Sequence, residues 1–271
     1  ALLALTVWYL HDQNTHLETS RCRIEGARIP AAFDGFCIAQ VSDLHNTGSE
    51  ALTAALVAAL RENRPDIIVL TGDLIDSRRT DIDSALRFVS QIRHIAPVYF
   101  VSGNHEAAAG GYERLLAGLR EYGVTLLDNS AALLERGGAA VALLGVADPM
   151  MAHDYMTEDA AVTATLLDRL TYDRTLYSIL LSHRPELFEV YREKGIDLAL
   201  TGHAHGGQIV LPFLGGLVAP NQGLFPKYWG GLYQAGGTAM VVSRGIGNSI
   251  LPFRINNRPE LVIVTLHSRP A

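Results

Sequence analysis

The chain has 271 residues, 48% of them hydrophobic and 18% charged, with a formal net charge of -6. That length suits one large α/β domain, and that composition can bury a sizeable core, which excludes a disordered chain. No basic run is present of the kind that neutralises a phosphate backbone, so no nucleic-acid partner is expected.

The first ten residues, ALLALTVWYL, are apolar and end near Trp8 and Tyr9. They are too short to span a bilayer, which takes about 20 residues, but they suit the tail of a longer anchor with the aromatic pair at the interface. The polar stretch HDQNTHLETS then reads as a juxtamembrane linker. Residues 1–20 are thus expected to be the remnant of an anchor or signal segment plus linker, and 21–271 a single domain. On this reading the protein is membrane-associated, on a side the sequence does not assign. An arm packed on the domain is the alternative. The two cysteines, Cys22 and Cys37, are no disulfide framework and read as half-buried thiols in strand-like segments.

Five short apolar runs follow: FCIAQVS, DIIVLTG, PVYFVSG, YSILLS and IDLALTG. Each ends in small residues, as buried strands of α/β proteins do. Between them lie helix candidates at about 49–62, with Ser49 as N-cap, 81–93, 111–122, 158–170 and 185–194. Pro185 opens the last and Gly195 stops it. From Gln208 onward the chain is strand-like, loop-rich and punctuated by Gly and Pro.

The residues just past the five runs carry the chemistry. They are Asp43 and His45; Asp73 and Asp76; Asn104, His105 and Glu106; His183; and His203 and His205. Five of the ten histidines sit at these strand ends, where open α/β sheets build sites. Taken singly, each is a turn, cap or structural residue. Taken together, so many polar groups on one edge are costly to bury unless something neutralises them. Divalent metal does so. Mixed carboxylate, amide and imidazole donors suit first-row ions, and the lack of cysteine argues against a thiolate zinc site. There are too many donors for one tetrahedral ion, so two ions sharing a carboxylate is the economical count.

The order Asp-x-His, Gly-Asp, Gly-Asn-His-Glu, His, Gly-His-x-His resembles the calcineurin-like metallophosphoesterases from about Phe36 onward. GHAHGGQ and SRGIGNSILPFRINNRPEL are further similar to the membrane-linked bacterial phosphodiesterase branch, which also contains a UDP-diacylglucosamine pyrophosphatase. Composition alone gives only mixed α/β. The resemblance implies a two-sheet β sandwich flanked by helices. It implies that Asp43, His45 and His205 bind one metal, that Asp73 bridges, and that Asn104, His183 and His203 bind the second. The ions are expected to be manganese, with iron or zinc as alternatives. A bridging hydroxide would attack phosphorus, His105 would serve the leaving oxygen, and Asp76 would orient His105. The single residue between His203 and His205 is expected to place both on one face of an extended segment.

The family's Arg directly after GDxxD is replaced by Ser77, with Arg78 one residue later. That leaves Arg244 as the expected anion partner, with a surface salt bridge as its alternative, and Asn46 as a donor to phosphate, or else a turn residue. The apolar stretch LPFLGGLVAP and the aromatics Phe225, Tyr228 and Trp229 suggest a rim that admits a lipid or meets a bilayer, or else a loop packed on its own sheet. The expected function is hydrolysis of a phosphodiester or pyrophosphate, with a lipid-linked substrate in view. A phosphomonoesterase or protein phosphatase is the enzymatic alternative. A non-catalytic scaffold is disfavoured because every motif position is intact.

Overall fold

The computed structural model describes residues 2–47, 49–152, 156–248 and 251–269. The chain opens with α1 (Leu2–Thr15) and β1 (Glu18–Gly26), and β2 (Cys37–Val41) follows. Helices and strands then alternate through α2 (Glu50–Asn63), β3 (Ile67–Thr71), α3 (Ile82–Ile92), β4 (Val98–Val101), the short α4 (Asn104–Ala108), α5 (Tyr112–Glu121) and β5 (Thr125–Leu126). A hairpin of β6 (Ser130–Arg136) and β7 (Ala139–Gly145) leads to α6 (Asp159–Arg169), β8 (Tyr177–Leu181), α7 (Phe188–Glu193) and β9 (Leu198–Thr201). Two small hairpins come next, β10 (Val210–Leu211) with β11 (Gly215–Gly216) and β12 (Val218–Ala219) with β13 (Gly223–Leu224). The chain ends in β14 (Gly231–Ala235), β15 (Thr238–Val242) and β16 (Glu260–Ser268).

The larger strands form two six-stranded sheets, ordered β1-β16-β2-β3-β4-β5 and β14-β15-β9-β8-β7-β6. Successive side chains of a strand point to opposite faces, and here both faces are covered. Ile67 and Val69 of β3 meet Ile179, Leu181 and Val241 between the sheets. Ile68 and Leu70 pack outward against Leu56, Phe88 and Leu115 of α2, α3 and α5. On the far side Leu180 and Met240 pack against Leu167 of α6 and Tyr191 of α7. This two-faced burial is why the five strands read as unbroken apolar runs.

Local signals set the helix ends. The Ser49 hydroxyl accepts from the Leu52 N–H at 3.2 Å and caps α2. Asp81 does the same for α3 through Ser84. The segment expected as a helix over 185–194 splits into a 3-10 turn, Pro185–Leu187, and α7.

The polar stretch after the apolar start is not a linker. It completes α1 and, from Glu18, enters β1, which pairs in parallel with β16. Gln13 is buried and accepts from the Asn257 N–H, while Asn14 accepts from the Arg254 N–H. The outer turns of α1 expose Leu3, Leu5, Val7 and Trp8. Among the described residues no helix is long and apolar enough to cross a membrane. Of the C-terminal motif SRGIGNSILPFRINNRPEL, Ser249 and Ile250 lie outside the described residues.

Candidate metal centre

β2, β3 and β4 run parallel, as do β8 and β9, so their carboxyl ends gather on one edge of the sandwich. The seven expected metal-binding residues meet there. Asp43 Oδ1, His45 Nε2, Asp73 Oδ2 and His205 Nε2 form one cluster: the two Nε2 atoms are 3.1 Å apart, His205 Nε2 is 3.3 Å from Asp43, and His45 Nε2 is 3.5 Å from Asp73. The second cluster joins Asp73 Oδ2 to His183 Nε2 at 3.2 Å, with Asn104 Oδ1 and His203 Nδ1 each 3.2 Å from that nitrogen. Asp73 Oδ2 belongs to both.

These residues fit divalent ions. Donor atoms bound about 2.1 Å from one ion at near-tetrahedral or octahedral angles stand roughly 3–3.5 Å from each other, which is the spacing seen. Two of the imidazoles are held with the donor nitrogen inward. The Thr71 carbonyl accepts from His183 Nδ1 at 2.8 Å, and Asn221 Oδ1 lies 3.3 Å from His203 Nε2. Such outer partners fix the tautomer that leaves the lone pair for an ion. His45 and His205, by contrast, have buried Nδ1 atoms with no hydrogen-bond partner.

The backbone is strained to achieve this. Asp43, His45, Asp73, His203 and His205 all have positive φ, between 47° and 64°. Non-glycine residues rarely adopt that region, and clusters of them mark sites where the fold over-determines the geometry. The GHAHGG segment is therefore not the extended segment expected. β9 stops at Thr201, and the two histidines reach different clusters because each sits in a left-handed turn. Gly202 is needed because a Cβ there would overlap the Ser42 hydroxyl and the Asp43 carboxylate. At Gly207, φ is 69° and the backbone of Gly216 closes on it.

Charges in the cluster follow burial and pairing. Burial lowers His45 to about 4 and holds His203 and His205 well below the usual imidazole range. Burial opposes the charged form of His183 too, but the Asp73 and Asp43 carboxylates outweigh it and raise His183 to about 10. Burial raises Asp43 to about 6, whereas for Asp73 the charges of His183 and His45 overcome burial and hold it well below the carboxylate range. Three imidazoles are thus neutral and ready for metal at pH 7, and the fourth carries a proton that an ion must displace.

His105 lines the cavity beside Asp73, and its ring stands edge-on to His45 at 4.4 Å. Its orientation differs from expectation. Asp76 is 3.9 Å from His105 Nδ1 and is instead bound by the Arg78 side chain at 3.0 and 3.3 Å. Burial would raise Asp76, but these Arg78 bonds bring it to about 2. The partner of His105 is Ser77, whose backbone N–H donates to Nδ1 at 3.0 Å. The Asn46 amide is engaged outside the clusters, donating to the Arg79 carbonyl at 2.7 Å. Arg244 is committed elsewhere: it binds Glu260 at 2.9 Å and Glu18 at 3.1 Å, at the start of β16 and β1. The salt-bridge alternative is the one the structure shows for Arg244.

Other residues at the site had no role assigned from the sequence. Glu106 is buried and accepts from the backbone N–H groups of Asp73, Ile75 and Gly103, tying the ends of β3 and β4 together. Arg184, directly after His183, is buried and gripped by Asp148 from the end of β7. The adjacency of Arg184 to a motif histidine was a usable signal; Asp148 lies past a hairpin that the apolar-run reading passed over.

Fold and site together define a protein built around a dimetal-type centre of aspartate and histidine residues. The calcineurin-like phosphoesterase family model matches residues 37–207, and the chain belongs to that family. It is 32% identical over 263 residues to the uncharacterized metallophosphoesterase YkuE of Bacillus subtilis, covering 93% of this chain and 86% of that one. It is 30% identical over 241 residues to phosphodiesterase YaeI of Escherichia coli, covering 85% and 82%. The fold is shared with TT1561 of Thermus thermophilus at a TM-score of 0.54 and 13% identity, over 78% of this chain and 90% of that one.

Proposed function

We propose that the protein hydrolyses a phosphodiester or diphosphate bond, with manganese, iron or zinc as the bound ions and a lipid-linked molecule as substrate. The observation that carries the hydrolytic reading is the placing of His105 in the cavity next to the shared carboxylate Asp73. Because Ser77 N–H donates to Nδ1, it is Nε2 that carries a proton and can donate a hydrogen bond to a leaving oxygen. Two bound divalent ions supply an activated water and neutralise charge developing on phosphorus oxygens. The chain's own part is to hold seven donors in place and to keep His105 in one tautomer. The name of YaeI supports a diester, and the manganese preference rests on the oxygen- and imidazole-rich donor set.

The lipid part rests on exposed apolar side chains. Phe213 is fully exposed, Leu214, Leu224 and Phe225 stand out nearby in sequence on the small hairpins, and α1 exposes Trp8. Tyr9 of α1 donates to Asn256 Oδ1, and Asn256 Nδ2 donates to the Val210 carbonyl, so helix and hairpin adjoin.

The test uses bis-p-nitrophenyl phosphate beside p-nitrophenyl phosphate, after stripping metal and restoring Mn, Fe, Zn or Mg singly. Metal-dependent preference for the diester supports the reading, and preference for the monoester moves it to a phosphomonoesterase. Liposome co-sedimentation of Phe213→Ser/Leu214→Ser tests the lipid part; unchanged binding by a folded variant rejects it.

A further inference from the structure

Arg184 is the one lysine or arginine among the described residues lining the cavity over the metal clusters, a space of about 210 Å³ shared with Asp73, Asn104, His105 and His203. It is placed there firmly. Nε and Nη2 both bind Asp148, at 2.5 and 2.9 Å, and the side chain is buried. Nη1 is left over. Its neighbours are His203 Nε2 at 3.3 Å, Glu186 at 3.4 Å and Asp159 at 3.7 Å.

The first of these neighbours is lost when His203 serves the metal cluster. His203 offers Nδ1 to that cluster, so Nε2 must carry the ring proton, with Asn221 Oδ1 as its acceptor. Nε2 then has no lone pair for Nη1. What remains is a long hydrogen bond donated to Glu186 Oε1 and a longer ion pair with Asp159, whose carboxylate is partly exposed in the first turn of α6. A fixed guanidinium with a donor to spare on Nη1 beside two ion sites is a preorganised anion partner. The other arginines once in view are tied up, Arg78 by Asp76 and Arg244 by Glu260 and Glu18.

We propose that Arg184 binds a non-bridging phosphate oxygen of the substrate through Nη1, and that Asp159 is the carboxylate it leaves when the phosphate arrives. The proposal rests on the phosphoesterase reading above. It assigns the anion-binding role to Arg184 rather than to Arg244 or Asn46.

The probe is inorganic phosphate, titrated calorimetrically into the metal-loaded protein, with metal content measured in parallel. Arg184→Lys keeps a cation against the buried Asp148, so that carboxylate is not stranded. It loses the planar fork and should weaken phosphate binding about tenfold or more with metal content unchanged. Asp159→Asn removes a competing carboxylate and should tighten phosphate binding by about two- to fivefold. Phosphate affinity within twofold of wild type in Arg184→Lys overturns the proposal, as does loss of metal together with phosphate, which would make Arg184 a support of the ion site. If Arg184→Lys does not fold, Asp159→Asn decides: unchanged or weaker binding overturns the proposal. Phosphate binding that Arg184→Lys abolishes, in a protein that cleaves neither nitrophenyl ester, upholds the anion site and rejects the hydrolytic reading.

Discussion

At the scale of single residues, three imidazoles of the centre are aimed by the partner of their second nitrogen. His183 and His203 are aimed by Thr71 and Asn221, and His105 by the Ser77 N–H. His105→Ala should therefore keep the metal complement while lowering kcat about 10²–10⁴-fold; metal analysis beside the diester assay checks both halves. The proton on His183 gives a second expectation. Below about pH 10 the apo centre holds that proton on the paired imidazole, and an ion needs its lone pair. Metal binding at pH 7 should release about one proton per filled centre, and apparent affinity should rise from pH 7 to 9. Calorimetry in two buffers of different ionisation enthalpy measures this, and equal heats in both would contradict it.

At the scale of elements, the strand ends were legible because strands buried on both faces show as apolar runs, and whatever follows such a run lands on the functional edge. The β6–β7 hairpin was not, since its alanine-rich strands, exposed on alternate residues of β6, carry a weak strand signature. Asp148, the partner of Arg184, was hidden with it. The spacing of His203 and His205 was legible but its cause was misjudged, because alternation holds inside a strand and β9 ends before the first histidine. The polar stretch after the apolar start looked like a linker because its contacts, Gln13 to Asn257 and Asn14 to Arg254, lie 240 residues or more away. Gly202 tests the turn directly. Gly202→Ala drives a methyl into Ser42 and Asp43 and should cost about 1–3 kcal/mol and lower the metal content. Chemical denaturation and metal analysis together read that out.

At the scale of the whole molecule, two sheets and two helix layers serve one edge. Residues from β2, β3, β4, β8 and β9 meet there, so ions bound at that edge cross-brace both halves of the sandwich. Each ion that binds only the folded chain, present at about 100 times its Kd, stabilises it by about 2.7 kcal/mol, so two contribute about 5.4 kcal/mol, or roughly 10–20 °C in Tm for a chain of this size. Chelation should lower Tm by that amount, and scanning with and without EDTA shows whether it does. The most direct test of the shared centre is the number of manganese ions per chain, measured at equilibrium with diesterase activity, in the wild type and in Asp73→Asn. Two ions are expected in the wild type, and in a folded Asp73→Asn fewer than two with activity lost. Two ions retained in Asp73→Asn with undiminished hydrolysis would contradict it.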